Sequence, residues 1–177
     1  GPALIDGVKG HTIVLDPGHG GTDTGAIGVD GLQEKDITLL VAKRVQQLLT
    51  DSGARVVMTR DDDQDVYGPS ATDAQELQAR VDVGEATGGA EVFLSIHCNA
   101  FAKPAAHGTE TYYYPKSEND KALAQALQDG MLDHGRLRDR GVKQARFYVL
   151  RNSSLPAALV ELCLLYTSPS PRDGATS

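Results

Sequence analysis

HTIVLDPGHGGTDTGAIG, residues 11–28, decides how the rest of the chain is read. It opens with a β-branched run, HTIVLDP, of the kind that forms a buried strand, and breaks at a Pro-Gly turn. It continues as a loop so rich in glycine that one imidazole, His19, stands among residues with almost no side chains. A strand that delivers a histidine into a glycine loop predicts an element whose carboxyl end does chemistry.

Working outward, strand and helix patterns alternate. LQEKDITLLVAKRVQQLLTDSG (residues 32–53) places Ile37, Leu40, Val41, Val45 and Leu48 near a helical period and stops at Gly53, a natural C-terminal cap. ARVVMTR (54–60) reads as the next strand. ATDAQELQARVDVGEATGG (71–89) reads as a helix with a Thr72/Asp73 start and a Gly88-Gly89 stop. EVFLSIHCNA (91–100) and GTETYYYP (108–115) read as strands, ENDKALAQALQDGMLDHG (118–135) as a third helix, and FYVLRN (147–152) and PAALVEL (156–162) as two late strands. Strands separated by helices predict an α/β fold around a largely parallel sheet.

Bulk properties narrow the function. A chain of 177 residues with 40% hydrophobic content suits one compact domain, and its net charge of −7 argues against nonspecific nucleic-acid binding. No stretch approaches the ~18 consecutive apolar residues of a membrane span. GPALIDG at the start forms no signal peptide. Cys98 and Cys163 make no CxxC pair, so a zinc ribbon or redox motif is not expected, and two buried thiols are the plainer reading. RDDDQD (60–65) lacks the spacing and glycine of a calcium loop and reads as a solvated surface turn.

In an open parallel sheet, sites form at the carboxyl ends of strands. His19, His97 and Glu161 fall there, and Glu34 opens the first long helix. These are the ingredients of a two-histidine, one-carboxylate zinc site with a spare glutamate. Each also has a plainer reading taken singly: a turn histidine, a core imidazole, a helix N-terminal acid. His11, His107 and His134 are expected at the surface. A phosphate cradle is disfavoured, because no Gly-Lys-Ser/Thr follows the glycines.

LDPGHGG, GLQEKDITLLVA, LSIHCNA and RGVKQARFYVLRNSSLPAALVEL, in that order, resemble the zinc-dependent N-acetylmuramoyl-L-alanine amidases from about His11 to Leu165. The resemblance implies a single domain with a twisted, mostly parallel β-sheet and helices on both faces. It implies one Zn²⁺ ion held by His19, Glu34 and His97, with Glu161 as the catalytic glutamate. The implied reaction is hydrolysis of the amide between the lactyl group of N-acetylmuramic acid and L-alanine of the stem peptide. Peptidoglycan or muropeptides are then the partners and the site of action is extracytoplasmic; a monomer is expected. Gly18, Gly20 and Gly21 are expected to let the backbone approach metal and substrate closely.

Stem peptides carry carboxylates, so the basic stretch RLRDRGVKQAR (136–146), and within it Arg140 and Lys143, is a candidate for orienting them, with an ordinary solvated loop as the alternative. Asn99 either bonds substrate or caps the turn after His97. A catalytic domain over residues 8–165 is expected, truncated so that the family's C-terminal covering helix is missing. YTSPSPRDGATS (166–177) reads as a disordered, non-native tail. Two other functions stay open: a catalytically silent or regulatory wall-binding relative, and a zinc peptidase or deacetylase acting on another amide.

Overall fold

The computed structural model describes residues 6–101, 107–134, 137–163 and 165–166. The helix–strand alternation folds as the pattern predicts. Strands β1 (Thr12–Pro17), β2 (Arg55–Met58), β3 (Val92–His97), β5 (Gly108–Tyr113), β6 (Asp139–Gln144) and β7 (Ala157–Cys163) form one sheet in the order β2-β1-β3-β7-β5-β6. Every pairing is parallel except β5 against β7. A short β4 (Ala100–Phe101) pairs with β8 (Leu165–Tyr166) in a separate two-stranded sheet.

Register dictates the two faces. Val14 of β1 lies opposite Phe93 of β3, and Phe93 opposite Ala157 of β7. These residues share a core with Val81 from α2 (Asp73–Glu85) and with Val149 and Leu150 from α4 (Tyr148–Asn152). One residue along each strand the side chains reverse. Ile13 and Leu15 then pack on Leu49 of α1 (Glu34–Asp51), while Ala158 packs on Ala124 of α3 (Glu118–His134). Helices therefore cover both faces. Phe93 is fully buried at the centre of the first core, so Phe93→Ala is expected to cost about 3–5 kcal/mol. A urea midpoint unchanged by that substitution would contradict the packing.

Helix α2 starts as its sequence asks. Thr72 accepts from the Gln75 amide and Gln75 accepts from the Thr72 amide, a complete capping box. The helix ends at Glu85, three residues before the Gly88-Gly89 pair.

Two late segments differ from expectation. FYVLRN is not a strand: residues 148–152 form the single helical turn α4, with the amides of Leu150 and Arg151 bonded to the Phe147 carbonyl. The turn lets Val149 and Leu150, neighbours in sequence, enter the same core, whereas the alternation of an extended strand would send them to opposite faces. The basic stretch, for which a solvated loop is the alternative reading, contains the edge strand β6. The tail, apart from Tyr166 of β8, lies outside the described residues, as do Arg136 and the side chains of His134 and Cys163.

Candidate active site

Strand β1 ends at Pro17 and β3 at His97, while α1 and α2 leave the sheet on opposite faces. That divergence opens a crevice at the strand ends. A cleft of about 490 Å³ lies there, lined among others by His19, Glu34, His97, Glu161, Leu77, Phe147 and Tyr148. All four residues singled out from sequence for metal and acid–base chemistry meet in it.

His19, Glu34 and His97 each offer a ligand atom within 4.8 Å of the others. The two imidazoles meet edge to face, with centroids 5.0 Å apart. His19 Nδ1 is 2.8 Å from Asp23 Oδ2, which turns Nε2 toward the cluster. That Nε2 lies 3.0 Å from Glu34 Oε2, yet it is buried and makes no properly aligned hydrogen bond. Glu34 is fixed on both oxygens: Oε1 accepts from the Ala26 amide at 3.0 Å and Oε2 from the Cys98 amide at 3.0 Å. Two imidazoles, a pinned carboxylate and an orphaned inward-facing nitrogen fit a divalent cation.

The electrostatics agree with that fit. Burial pulls the His19 imidazole down, but the Asp23 and Glu34 carboxylates outweigh it and hold it at about 9. Burial likewise opposes ionisation of Glu34, and the two histidines overcome it, so its pKa is lowered. A site that retains a proton this strongly attracts cations, and a metal ion competes for the same lone pair.

Glu161 behaves in the opposite way. It lies on β7 opposite His97 and opposite Glu110 of β5, is 7% exposed, and leaves Oε2 with no hydrogen-bond partner. Burial, then the charges of Glu34 and Glu110, raise its pKa to about 8. A bound dication would oppose both carboxylates and draw that value back down.

Gly18 makes the room expected of it. A Cβ there would lie 2.5 Å from Cε1 of the His97 ring. Gly25, not singled out from sequence, has φ +62°, and its Cβ would fall 2.7 Å from His19 and 2.8 Å from Glu34. His19 itself has φ +63° and is the one non-glycine residue with positive φ among the described residues.

Asn99, Arg140 and Lys143 converge on Glu110. Oε1 of that glutamate accepts from Asn99 Nδ2 at 3.1 Å and from the Tyr112 hydroxyl at 2.6 Å. Oε2 accepts from Lys143 Nζ at 2.5 Å, with Arg140 Nε at 3.5 Å. Burial opposes its charge, but Lys143, Tyr112 and Arg140 together keep Glu110 ionised below its ordinary value. Sequence reasoning missed Glu110 and Asp23. Asp23 had a readable signal, an acid four residues after a loop histidine; Glu110, inside a β-rich run, had none. The acidic turn also does more than face solvent. Asp63 accepts from the Gly21 amide, and Asp65 accepts from the amide and hydroxyl of Thr22, so the turn tethers the glycine loop.

Fold and cluster together define an α/β domain that carries a potential metal-binding group and a buried carboxyl at its strand ends. The family model for N-acetylmuramoyl-L-alanine amidases matches residues 13–171. LytC of Bacillus subtilis, an N-acetylmuramoyl-L-alanine amidase, is 42% identical over 164 residues, covering 92% of this chain and 31% of LytC. The germination-specific N-acetylmuramoyl-L-alanine amidase of the same organism is 37% identical over 169 residues, covering 92% of this chain and 70% of that protein. Among solved structures, AmiC2 of Nostoc punctiforme superposes with a TM-score of 0.74 at 39% identity, over 91% of this chain and 82% of that one. The chain belongs to the N-acetylmuramoyl-L-alanine amidase family.

Proposed function

We propose that this chain hydrolyses the amide between the lactyl group of N-acetylmuramic acid and L-alanine of the peptidoglycan stem peptide, using one zinc ion. The observation that carries this reading is the meeting of His19, Glu34 and His97 beside the buried, unpartnered carboxyl of Glu161 in a single cleft.

In this reading His19, Glu34 and His97 hold the ion, with Asp23 fixing the tautomer of His19. Zinc bound there supplies polarisation of the scissile carbonyl and acidification of the attacking water. Glu161 takes the proton from that water at Oε2 and passes it to the alanine nitrogen as the C–N bond breaks. The water oxygen ends in the lactyl carboxylate and the stem peptide leaves as an amine. Leu77, Phe147, Tyr148 and Leu159 give the cleft an apolar wall against which the lactyl and alanine methyls pack. Asn99, Arg140 and Lys143 gather on Glu110, the residue opposite Glu161 across the β5–β7 pairing. In this reading the Asn99 amide and the Arg140 and Lys143 cations orient a stem-peptide carboxylate. Because the substrate is peptidoglycan, the place of action is extracytoplasmic.

The test is digestion of purified muropeptides with and without a chelator, read by mass spectrometry. Chelator-sensitive release of free stem peptide from intact muramic acid is expected, with activity restored by zinc. A folded, zinc-loaded sample that releases none would overturn the reading. Cleavage at a different amide would assign the site to another zinc hydrolase.

A further inference from the structure

Two buried arginines converge on the loop that carries His19. Arg80, 3% exposed, comes from α2, and Arg60, 5% exposed, follows β2. Arg80 Nη1 donates to the Pro17 carbonyl at 2.7 Å and to Asp16 Oδ1 at 2.9 Å, and its Nη2 donates to the His19 carbonyl at 2.6 Å. Arg60 Nε donates to the Pro17 carbonyl at 3.1 Å, and its Nη2 to the Gly18 carbonyl at 3.0 Å. Thr38 of α1, 1% exposed, donates its hydroxyl to the same Gly18 carbonyl at 2.7 Å. Three successive carbonyls are thus held by charged or hydroxyl donors from three separate segments.

Ordinary packing does not need this arrangement. Burying two guanidiniums is costly; Arg80 meets the carboxylates of Asp16 at 2.9 Å and Glu76 at 3.4 Å, and backbone oxygens meet most of the remaining donors. The carbonyls they hold run up to His19, whose φ of +63° is disfavoured for a side chain with a Cβ. Strain of this kind persists only where its surroundings over-determine it. On the outer side Asp23, Asp63 and Asp65 hold the same loop. The loop is therefore gripped from beneath by cations and from above by anions, with the imidazole between them.

Resting on the metal-site reading above, we infer that Arg60 and Arg80, assisted by Thr38, are positioning residues that lock His19 in its left-handed conformation and so preform the metal site before any ion arrives. The clamp acts through the backbone: Arg80 also lines the cleft, while Arg60 and Thr38 lie behind the loop, outside the cleft lining.

Arg80→Lys, Arg60→Met and Thr38→Val test this. Lysine keeps a charge beside Asp16 but cannot span three acceptors, methionine fills the arginine stem without leaving a buried anion, and valine deletes one hydroxyl, so the mildest variant remains available where another fails to fold. Two readouts on chelator-treated protein apply. The first is zinc affinity by competition with a chromophoric chelator; the second is amide hydrogen exchange at Gly20, Gly21 and Thr22 against the β3 amides. The expected result is a 10- to 100-fold loss of zinc affinity in the arginine variants, with selective deprotection of those loop amides and unchanged β3 protection. Folded arginine variants with zinc affinity within twofold of the parent would overturn the clamp. If the parent takes up no zinc, the metal reading fails by itself and the exchange pattern decides. Selective loop deprotection then still supports the clamp, and unchanged loop protection refutes it.

Discussion

Replacing Glu161 with glutamine is expected to lower turnover by about 10²- to 10⁴-fold, the range lost with a positioned general base, while zinc binding stays stoichiometric. Glutamine fills the same space but cannot accept a proton, and the oxygen it alters has no hydrogen-bond partner to lose. The effect should fall on kcat with little change in KM, because the carboxylate acts on the water rather than on the ground-state substrate. Stability should move the other way. The folded-state pKa of Glu161 is raised to about 8, so as pH climbs from its ordinary value of 4.5 toward 8 the unfolded chain ionises there while the folded chain resists. Metal-free parent protein therefore loses stability across that window, and the glutamine variant escapes the loss. Thermal melting with chelator present, set beside muropeptide turnover, reads both effects. Near-normal hydrolysis by Glu161→Gln would remove this residue from the chemistry.

The second large effect is structural. Asp16→Ala should destabilise the fold by about 3–5 kcal/mol, because it removes the nearer and fully buried of the two carboxylates that the Arg80 guanidinium meets, leaving Glu76 at 3.4 Å. The Asp16 side chain also accepts from Thr59 at 2.7 Å and from Ser95 at 2.6 Å, so three partners lose their acceptor together. Burial works against the Asp16 charge, but Arg80, Ser95 and Thr59 prevail and hold its pKa below the ordinary carboxylate value. A carboxyl lowered on folding contributes stability above its unfolded pKa and forfeits it as pH falls through the folded one. Urea midpoints taken from neutral pH downward should therefore fall more steeply for the parent than for the alanine variant. Equal stability of the two proteins at neutral pH would contradict the buried pair.

What could be read from the sequence follows contact range. The strands β1, β3 and β7 were legible because each is a short apolar run that ends in a turn signal or a charged side chain. Their ends put His19, His97 and Glu161 on one rim from the sequence pattern alone. The strand β6 escaped because an edge strand carrying Asp139, Arg140 and Lys143 has no apolar face to announce it, and Gly141, with φ +89°, breaks its pattern. The turn α4 escaped because five residues are too few to show a period. The ion pairs escaped for a different reason. Arg80 lies 64 positions from Asp16, and nothing local distinguishes a buried arginine in a helix from a solvated one. Its one trace is that Arg80 shares the inward side of α2 with Val81 and Gly84, where an apolar residue would be expected.

The place of β7 in the sheet has a consequence for the order of synthesis. It is the last of the six main strands to leave the ribosome, yet it inserts between β3 and β5 near the middle of the sheet and brings Glu161 with it. Until that strand emerges, β3 has a vacant edge, β5 and β6 have nowhere to dock, and the nascent chain carries three of the four cleft residues without the acid. The cleft is therefore completed only when β7 docks between β3 and β5. On the proposed reading, the acid thus arrives in the same docking event that joins β3 to β5 and completes the sheet.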